Sequence, residues 1–354
     1  MRDESREVVA GLDSGGTAIN ATLLDSAGRF LADRLVETPS QVAGGPEAGI
    51  GALAAALANV LALTGVPPSA VRAVGLDTPG PASADGVISV RGGVNLVDPR
   101  WRGFDVRGAL EARLGLPVSY ANDANAAALY AHHAHFGPEA GQRSSVALIV
   151  GTGLGGGVVE RGRVVSGAAG MAGEFGHLRI PVDGLLADGQ PMPRCNCGLS
   201  GDGESIASVT GIEKNLLPYW LDAYPGHPLH HAASPHQAAL MVRELACAGD
   251  ELALQIFRQQ AMALGRLFTV AASLTDPHAY FLGGGVVEAA PSFRDWFLTA
   301  VREHTALLDE QRPLATFALV PDLDMAGARG AAIMAADRLG WQAPAPRPSA
   351  TAPG

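Results

Sequence analysis

Two glycine-dense segments, DSGGT at residues 13–17 and GTGLGGG at 151–157, each follow an apolar run that reads as a buried strand, 8–13 and 146–150. Glycines this close together suit a backbone that must approach something bulky. Successive free N–H groups there make a cradle for phosphate oxygens. Asp13 at the end of the first strand adds a carboxylate suited to a hydrated Mg²⁺. Asp123, in NDAN at 122–125, opens an alanine-rich helix. It is a plain cap on one reading and a general base held ionised by the helix dipole on the other. His177, Cys195, Cys197 and Asp202 have the residue types and spacing of a zinc corner; the bland alternative for the cysteines is two reduced, partly buried thiols. Glu174, Glu204 and Asn95 are further polar candidates beside these segments.

The segments must be positioned by hairpins. Residues 18–24 alternate as a strand returning from the first glycine turn, and 157–165 reads as strand, turn, strand. The second context decides a motif. Gly151, Gly153 and Gly156 match GxGxxG in spacing, but a dinucleotide fingerprint needs a helix next, so that reading fails. No Walker A sequence occurs, since Lys214, the only lysine, has no glycine loop before it. Two phosphate hairpins opening two halves of the chain predict a duplicated α/β architecture with nucleotide held between two lobes.

Helices are expected at 48–63, from 123 to about 136, at 206–217, 238–248, 250–275 and 326–339, with strands at 71–76, 116–121 and 279–282. Residues 77–81 (DTPGP) read as a rigid loop, and Gly283–Gly285 as a strand-to-helix turn or a surface for adenine. His227, His230 and His231 fall among prolines and read as an exposed loop rather than a metal cluster. The tail, 341–354, is proline-rich and reads as disordered. No repeat appears at solenoid periods.

Composition narrows the function classes. The chain has 354 residues, 47% apolar and 17% charged, with net charge −10. That is a globular, acidic chain without basic clusters, which argues against nucleic acid and anionic membrane as partners. The charged N-terminus reads as no signal peptide, the apolar run 51–65 is short for a membrane span, and Cys195, Cys197 and Cys247 are too few for a disulfide framework. A soluble cytoplasmic protein is expected.

Taken in order, DxGGT, NDANAAA, GTGLGGG, AGEFGH, CNCG and a late GGG make the chain resemble the ROK family of bacterial sugar kinases and sugar-linked repressors, from about Val8 to Leu339. The resemblance implies the actin-like ATPase fold, two ribonuclease-H-like lobes closing on ATP and sugar. It implies a smaller lobe over 1–121 rejoined by a helix at 325–340, and a larger lobe over 122–324. Asp123 then matches the catalytic base, and Asn122, Glu174, His177 and Glu204 the sugar-hydroxyl ligands. Gly15, Gly16, Thr17, Gly151, Thr152 and Gly153 match the phosphate loops, and Gly283, Gly284 and Gly285 the adenosine region. His177, Cys195 and Cys197 match three ligands of a structural Zn²⁺. Asp202 stands where the family pattern C-x-C-G-x-x-G-C-x-E has its third cysteine, so its part as fourth ligand is a hypothesis. Asp13 comes too early to leave room for the repressors' DNA-binding region, which favours the kinases. The expected activity is transfer of the ATP γ-phosphoryl, with Mg²⁺, to a hexose hydroxyl. Glucose is the first expectation; N-acetylmannosamine, N-acetylglucosamine, fructose or allose are alternatives. A non-catalytic sugar sensor is the rival of another class, and a chaperone-like ATPase a lesser one. The resemblance implies a homodimer.

Overall fold

The structure, a computed structural model, describes residues 7–341 apart from Asp33, Gly92 and Val94. All but the first residue of the expected 341–354 tail therefore lies outside the described residues. The described chain divides into two compact units. The first holds the residues up to Arg143, Gly157–Gly173 and those from Pro321 on; the second holds Ser144–Gly156 and Glu174–Val320. The helix opened by Asp123 thus belongs to the first unit.

In the first unit, β1 (Val8–Ser14) turns at the glycine segment into β2 (Ala18–Asp25), antiparallel, and β3 (Glu37–Pro39) extends that edge. Helix α1 (Pro46–Thr64) leads to β4 (Val71–Thr78), parallel to β1. Helix α2 (Val106–Leu114) leads to β5 (Val118–Asn122), parallel to β4. The sheet order is β3-β2-β1-β4-β5. Helix α1 has 19 residues and a mean hydropathy of 1.6, long and apolar enough by those criteria to cross a membrane. Here Leu53, Ala56, Leu57, Val60 and Leu61 are buried in one cluster with Val8, Leu12, Leu23 and Leu76 of the sheet. Helix α3 (Asp123–Phe136) follows β5 directly, and α10 (Leu323–Arg338) returns at the chain end to this unit. Two positions show how tightly. A Cβ at Gly11 or Gly75 would lie 1.8 Å from the carbonyl oxygen of Ala328 or Ala331 in α10, so only glycine admits this approach.

The second sheet has the order β10-β9-β6-β7-β8. Its strands are β6 (Ser144–Val150), β7 (Leu154–Glu160), β8 (Arg163–Val164), β9 (Ala279–Gly284) and β10 (Thr316–Leu319), with β6, β9 and β10 parallel. The strand-turn-strand reading of 157–165 is what forms. The 206–217 region is more broken than the single helix expected: α4 (Glu204–Ala207), α5 (Val209–Gly211), a π-turn at Ile212–Leu216 and α6 (Leu217–Ala223). Helices α7 (Pro235–Cys247), α8 (Glu251–Thr275) and α9 (Pro291–Glu303) complete the unit. His227 corrects the exposed-loop reading: it is buried, its Nε2 3.0 Å from Asp250 at the start of α8, while His230 and His231 are exposed.

Candidate functional site

In the first unit the candidate residues gather at the C-terminal ends of β1, β4 and β5. In-register pairing sets Asp13 beside Asp77, and Thr78 beside Asn122. Ligands of open α/β sheets bind at this end of parallel strands. Asn122 is a true helix cap: its Oδ1 accepts the Asn125 N–H at 2.8 Å. Asp123 is the first residue of α3, where the helix dipole favours a charged carboxylate, and one oxygen accepts the Ala124 N–H at 2.7 Å. Asn122 thus caps the helix, and Asp123 takes its first position.

The first glycine loop is closed by Gly15 N–H donating to Ala18 O at 2.9 Å and by Ser40 Oγ donating to Gly16 O at 2.8 Å. Asn95 lies against this loop: a Cβ at Gly16 would be 2.8 Å from its Cβ. Sequence reading named Asn95 and Gly16 separately; the structure brings them together. It missed Asp77, which it treated only as part of a rigid loop. Asp77 is wholly buried, and its carboxyl pairs with that of Asp13. Burial first, then the Asp13 charge, hold its carboxyl well above the usual range. Burial also raises Asp13, against the lowering influence of Asp77 and Asn20. Tyr120, also missed, has its hydroxyl 2.7 Å from Thr78 Oγ1, and burial pushes its phenol up. The signal available for Asp77 was an acid closing an apolar strand, the same signal that flagged Asp13.

In the second unit the glycine loop between β6 and β7 is anchored by Val209 N–H to Gly151 O at 3.0 Å and by Thr210 to Thr152 O. Leu154 N–H donates to Glu204 Oε2 at 3.0 Å, and a Cβ at Gly153 would lie 2.6 Å from that same oxygen. Glu204 begins α4, so one carboxylate joins the glycine loop to the polar cluster behind it. Glu174 belongs to that cluster: burial raises its carboxyl, His177 lowers it and Glu204 raises it. Two carboxylates and an imidazole in one place form a set able to hold vicinal hydroxyls.

His177, Cys195, Cys197 and Asp202 come together, with one ligand atom from each all within 4.8 Å of one another. Asp202 Oδ2 lies 3.5 Å from His177 Nδ1 and 3.6 Å from Cys197 Sγ. A tetrahedral zinc with bond lengths of about 2.0–2.3 Å spaces its ligands roughly 3.3–3.8 Å apart, so the donor set fits the metal in kind and the two Asp202 separations fit it in spacing. Asp202 is buried, its other oxygen accepting the Ser205 N–H at 3.1 Å. Burial raises the Cys195 thiol. The three late glycines have a packing role of their own. Gly284 has φ 99° at the end of β9, and a Cβ there would lie 1.9 Å from Val150 O.

Residues 9–338 match the model of the ROK family. The chain belongs to the ROK family. It is 32% identical over 286 residues to the glucokinase of Streptomyces coelicolor, covering 78% of this chain and 81% of that one. It is 34% identical over 220 residues to the N-acetyl-D-glucosamine kinase of Vibrio vulnificus, covering 60% and 65%. Among solved structures, the ROK family glucokinase of Streptomyces griseus in complex with glucose and AMPPNP superposes with TM-score 0.68 at 31% identity, covering 93% of this chain and 99% of that one. The two mixed sheets are those of the two-lobed actin-like ATPase fold that ROK kinases share.

Proposed function

We propose that this ROK protein is a glucokinase-type enzyme, transferring the γ-phosphoryl of ATP to the exocyclic hydroxyl of glucose. The observation that carries the reading is the Leu154–Glu204 hydrogen bond, which joins a phosphate loop to a hydroxyl-binding cluster of Glu174, His177 and Glu204. The Streptomyces griseus relative, bound to glucose and AMPPNP, supports both ligand classes. Asp123 accepts the proton of the attacking hydroxyl as the new O–P bond forms and the bond to the β-phosphate oxygen breaks, releasing ADP. Asn122 and Asn95 help hold the sugar, with Glu174, Glu204 and His177 on its ring hydroxyls. The amides of Gly15, Gly16 and Thr17 and of Gly151, Thr152 and Gly153 hold the phosphates, and Gly283–Gly285 lies along the adenosine. Mg²⁺, oriented by Asp13, would neutralise charge on the β- and γ-phosphates. A structural zinc on His177, Cys195, Cys197 and Asp202 would fix the imidazole and leave its second nitrogen for the sugar.

The second reading, an N-acetylglucosamine kinase, is favoured by the Vibrio vulnificus relative. ADP release from Mg-ATP across hexoses and N-acetylhexosamines separates the two. Turnover highest on glucose is expected. Highest turnover on an N-acetyl sugar would move the substrate and keep the chemistry. Sugar binding without turnover would replace the enzyme with a sensor.

A further inference from the structure

The broken helical stretch 204–216 serves two neighbours. On one side it holds the second glycine loop, the Val209 and Thr210 N–H groups donating to Gly151 O and Thr152 O at 3.0 and 3.2 Å. On the other it holds the turn that carries Cys195 and Cys197. That turn is a small hairpin, closed by Cys195 N–H to Leu199 O and Gly201 N–H to Pro193 O, both at 2.9 Å. This pairing leaves the N–H and C=O of Arg194 on the outer edge, where they meet the side chain of Asn215. Asn215 Oδ1 accepts the Arg194 N–H at 3.0 Å and Nδ2 donates to Arg194 O at 3.1 Å, so the amide pairs with this residue as a further strand would. Nδ2 also donates to Ser205 O at 2.9 Å. Arg194 directly precedes Cys195, and Ser205 directly follows Glu204.

Asn215 lies in the π-turn, where the Leu217 N–H bonds Ile212 O, five residues back instead of the four of an α-helix. Single wide turns of this kind are frequent at functional sites. Cys195 Sγ lies 3.3 Å from Glu204 Oε1. A shift of the cysteine hairpin against α4 would therefore move a zinc-site thiol and the carboxylate proposed to hold sugar relative to each other. We propose that Asn215 is a positioning residue for sugar phosphorylation: it sets the Cys195 hairpin against Glu204, so that metal binding by the one and sugar binding by the other depend on a single amide. This rests on the roles given to Glu204 and the zinc set under the proposed function. Arg194 is exposed, so water can replace the amide there, and loss of Asn215 costs position more than folding.

The test uses the full chain loaded with zinc. Zinc release to a colorimetric chelator and glucose binding by calorimetry are measured for the parent, Asn215→Ala and Asn215→Gln, with steady-state KM values alongside. Asn215→Ala should weaken zinc by ~10-fold or more and raise the glucose dissociation constant by roughly tenfold. KM for Mg-ATP should move less than KM for glucose, because Val209 and Thr210 still hold Gly151 and Thr152. Asn215→Gln keeps the amide but sets it one methylene further out; it should fall between parent and alanine, and it decides the matter if Asn215→Ala does not fold. A merely structural role would lower the urea midpoint and leave zinc and glucose affinities at parental values. That result would overturn the proposal, as would a parent chain that takes up no zinc. A parent that binds zinc without phosphorylating glucose would strike the proposed function instead, and zinc affinity in the two variants would still decide Asn215.

Discussion

Gly153→Ala tests whether the phosphate loop and the sugar cluster are one device. Gly153 has a backbone conformation open to alanine, so the substitution acts through its added Cβ alone. That atom would sit 2.6 Å from Glu204 Oε2, and ordinary contact begins at 3.4 Å. The carboxylate must therefore retreat by about 0.8 Å, which stretches its 3.0 Å bond from Leu154 N–H beyond hydrogen-bond range. A hydrogen bond to a charged group contributes about 1.5–3 kcal/mol to stability. Displacing a substrate-holding group by about 1 Å costs up to ~10²-fold in rate. The expected result is kcat/KM for the sugar down ~10–100-fold in a coupled ADP assay, with a loss of about 1–3 kcal/mol in urea unfolding. Gly51→Ala, in α1 of the first unit, is the control, because its Cβ would meet nothing within 4 Å, and it should stay near parental activity. Parental kcat/KM and stability in Gly153→Ala would refute the claim that Glu204 couples the loop to the sugar.

Three further outcomes follow from the same structure. Purified protein should carry one zinc per chain; Asp202→Ala should weaken it by ~10–100-fold and Asp202→Cys should hold it tighter, by metal analysis after dialysis against a chelator. Gly75→Ala should destabilise by more than about 3 kcal/mol in denaturant unfolding, since its Cβ would lie 1.8 Å from the Ala331 carbonyl and a strand or helix must move. Burial lowers the His133 pKa from its ordinary 6.5, partly offset by the Gly162 carbonyl. Above 6.5 the ring is neutral whether folded or unfolded and adds no slope; below it the unfolded chain takes up a proton that the fold resists, so stability falls with acidification. His133→Gln should flatten that acid-side loss in urea midpoints between pH 7 and 5, roughly the range where a histidine titrates.

The sequence was most legible where chemistry and local geometry coincide. The two glycine hairpins, the Asn122–Asp123 helix start and the Cys-x-Cys turn each depend on residues close in the chain, and each forms in the structure. Asp77 was legible only by type, as an acid closing an apolar strand; its place beside Asp13 comes from the parallel pairing of β4 with β1, and register between strands distant in sequence leaves no local pattern. The burial of His227 was hidden for the same reason: its partner, Asp250, starts a helix distant in sequence. Asn122 was legible only by type. Its cap hydrogen bond, with Asp123 set in the next position, is what separates the two roles.

The most direct test of the central claim is steady-state glucose phosphorylation by Asp123→Asn, with glucose binding measured alongside by calorimetry. The account predicts kcat reduced by ~10²–10⁴ while the glucose dissociation constant stays close to that of the parent chain, because Asp123 moves the proton and its neighbours hold the ring. A variant that turns over glucose at the parental rate would contradict the assignment of Asp123 as the base.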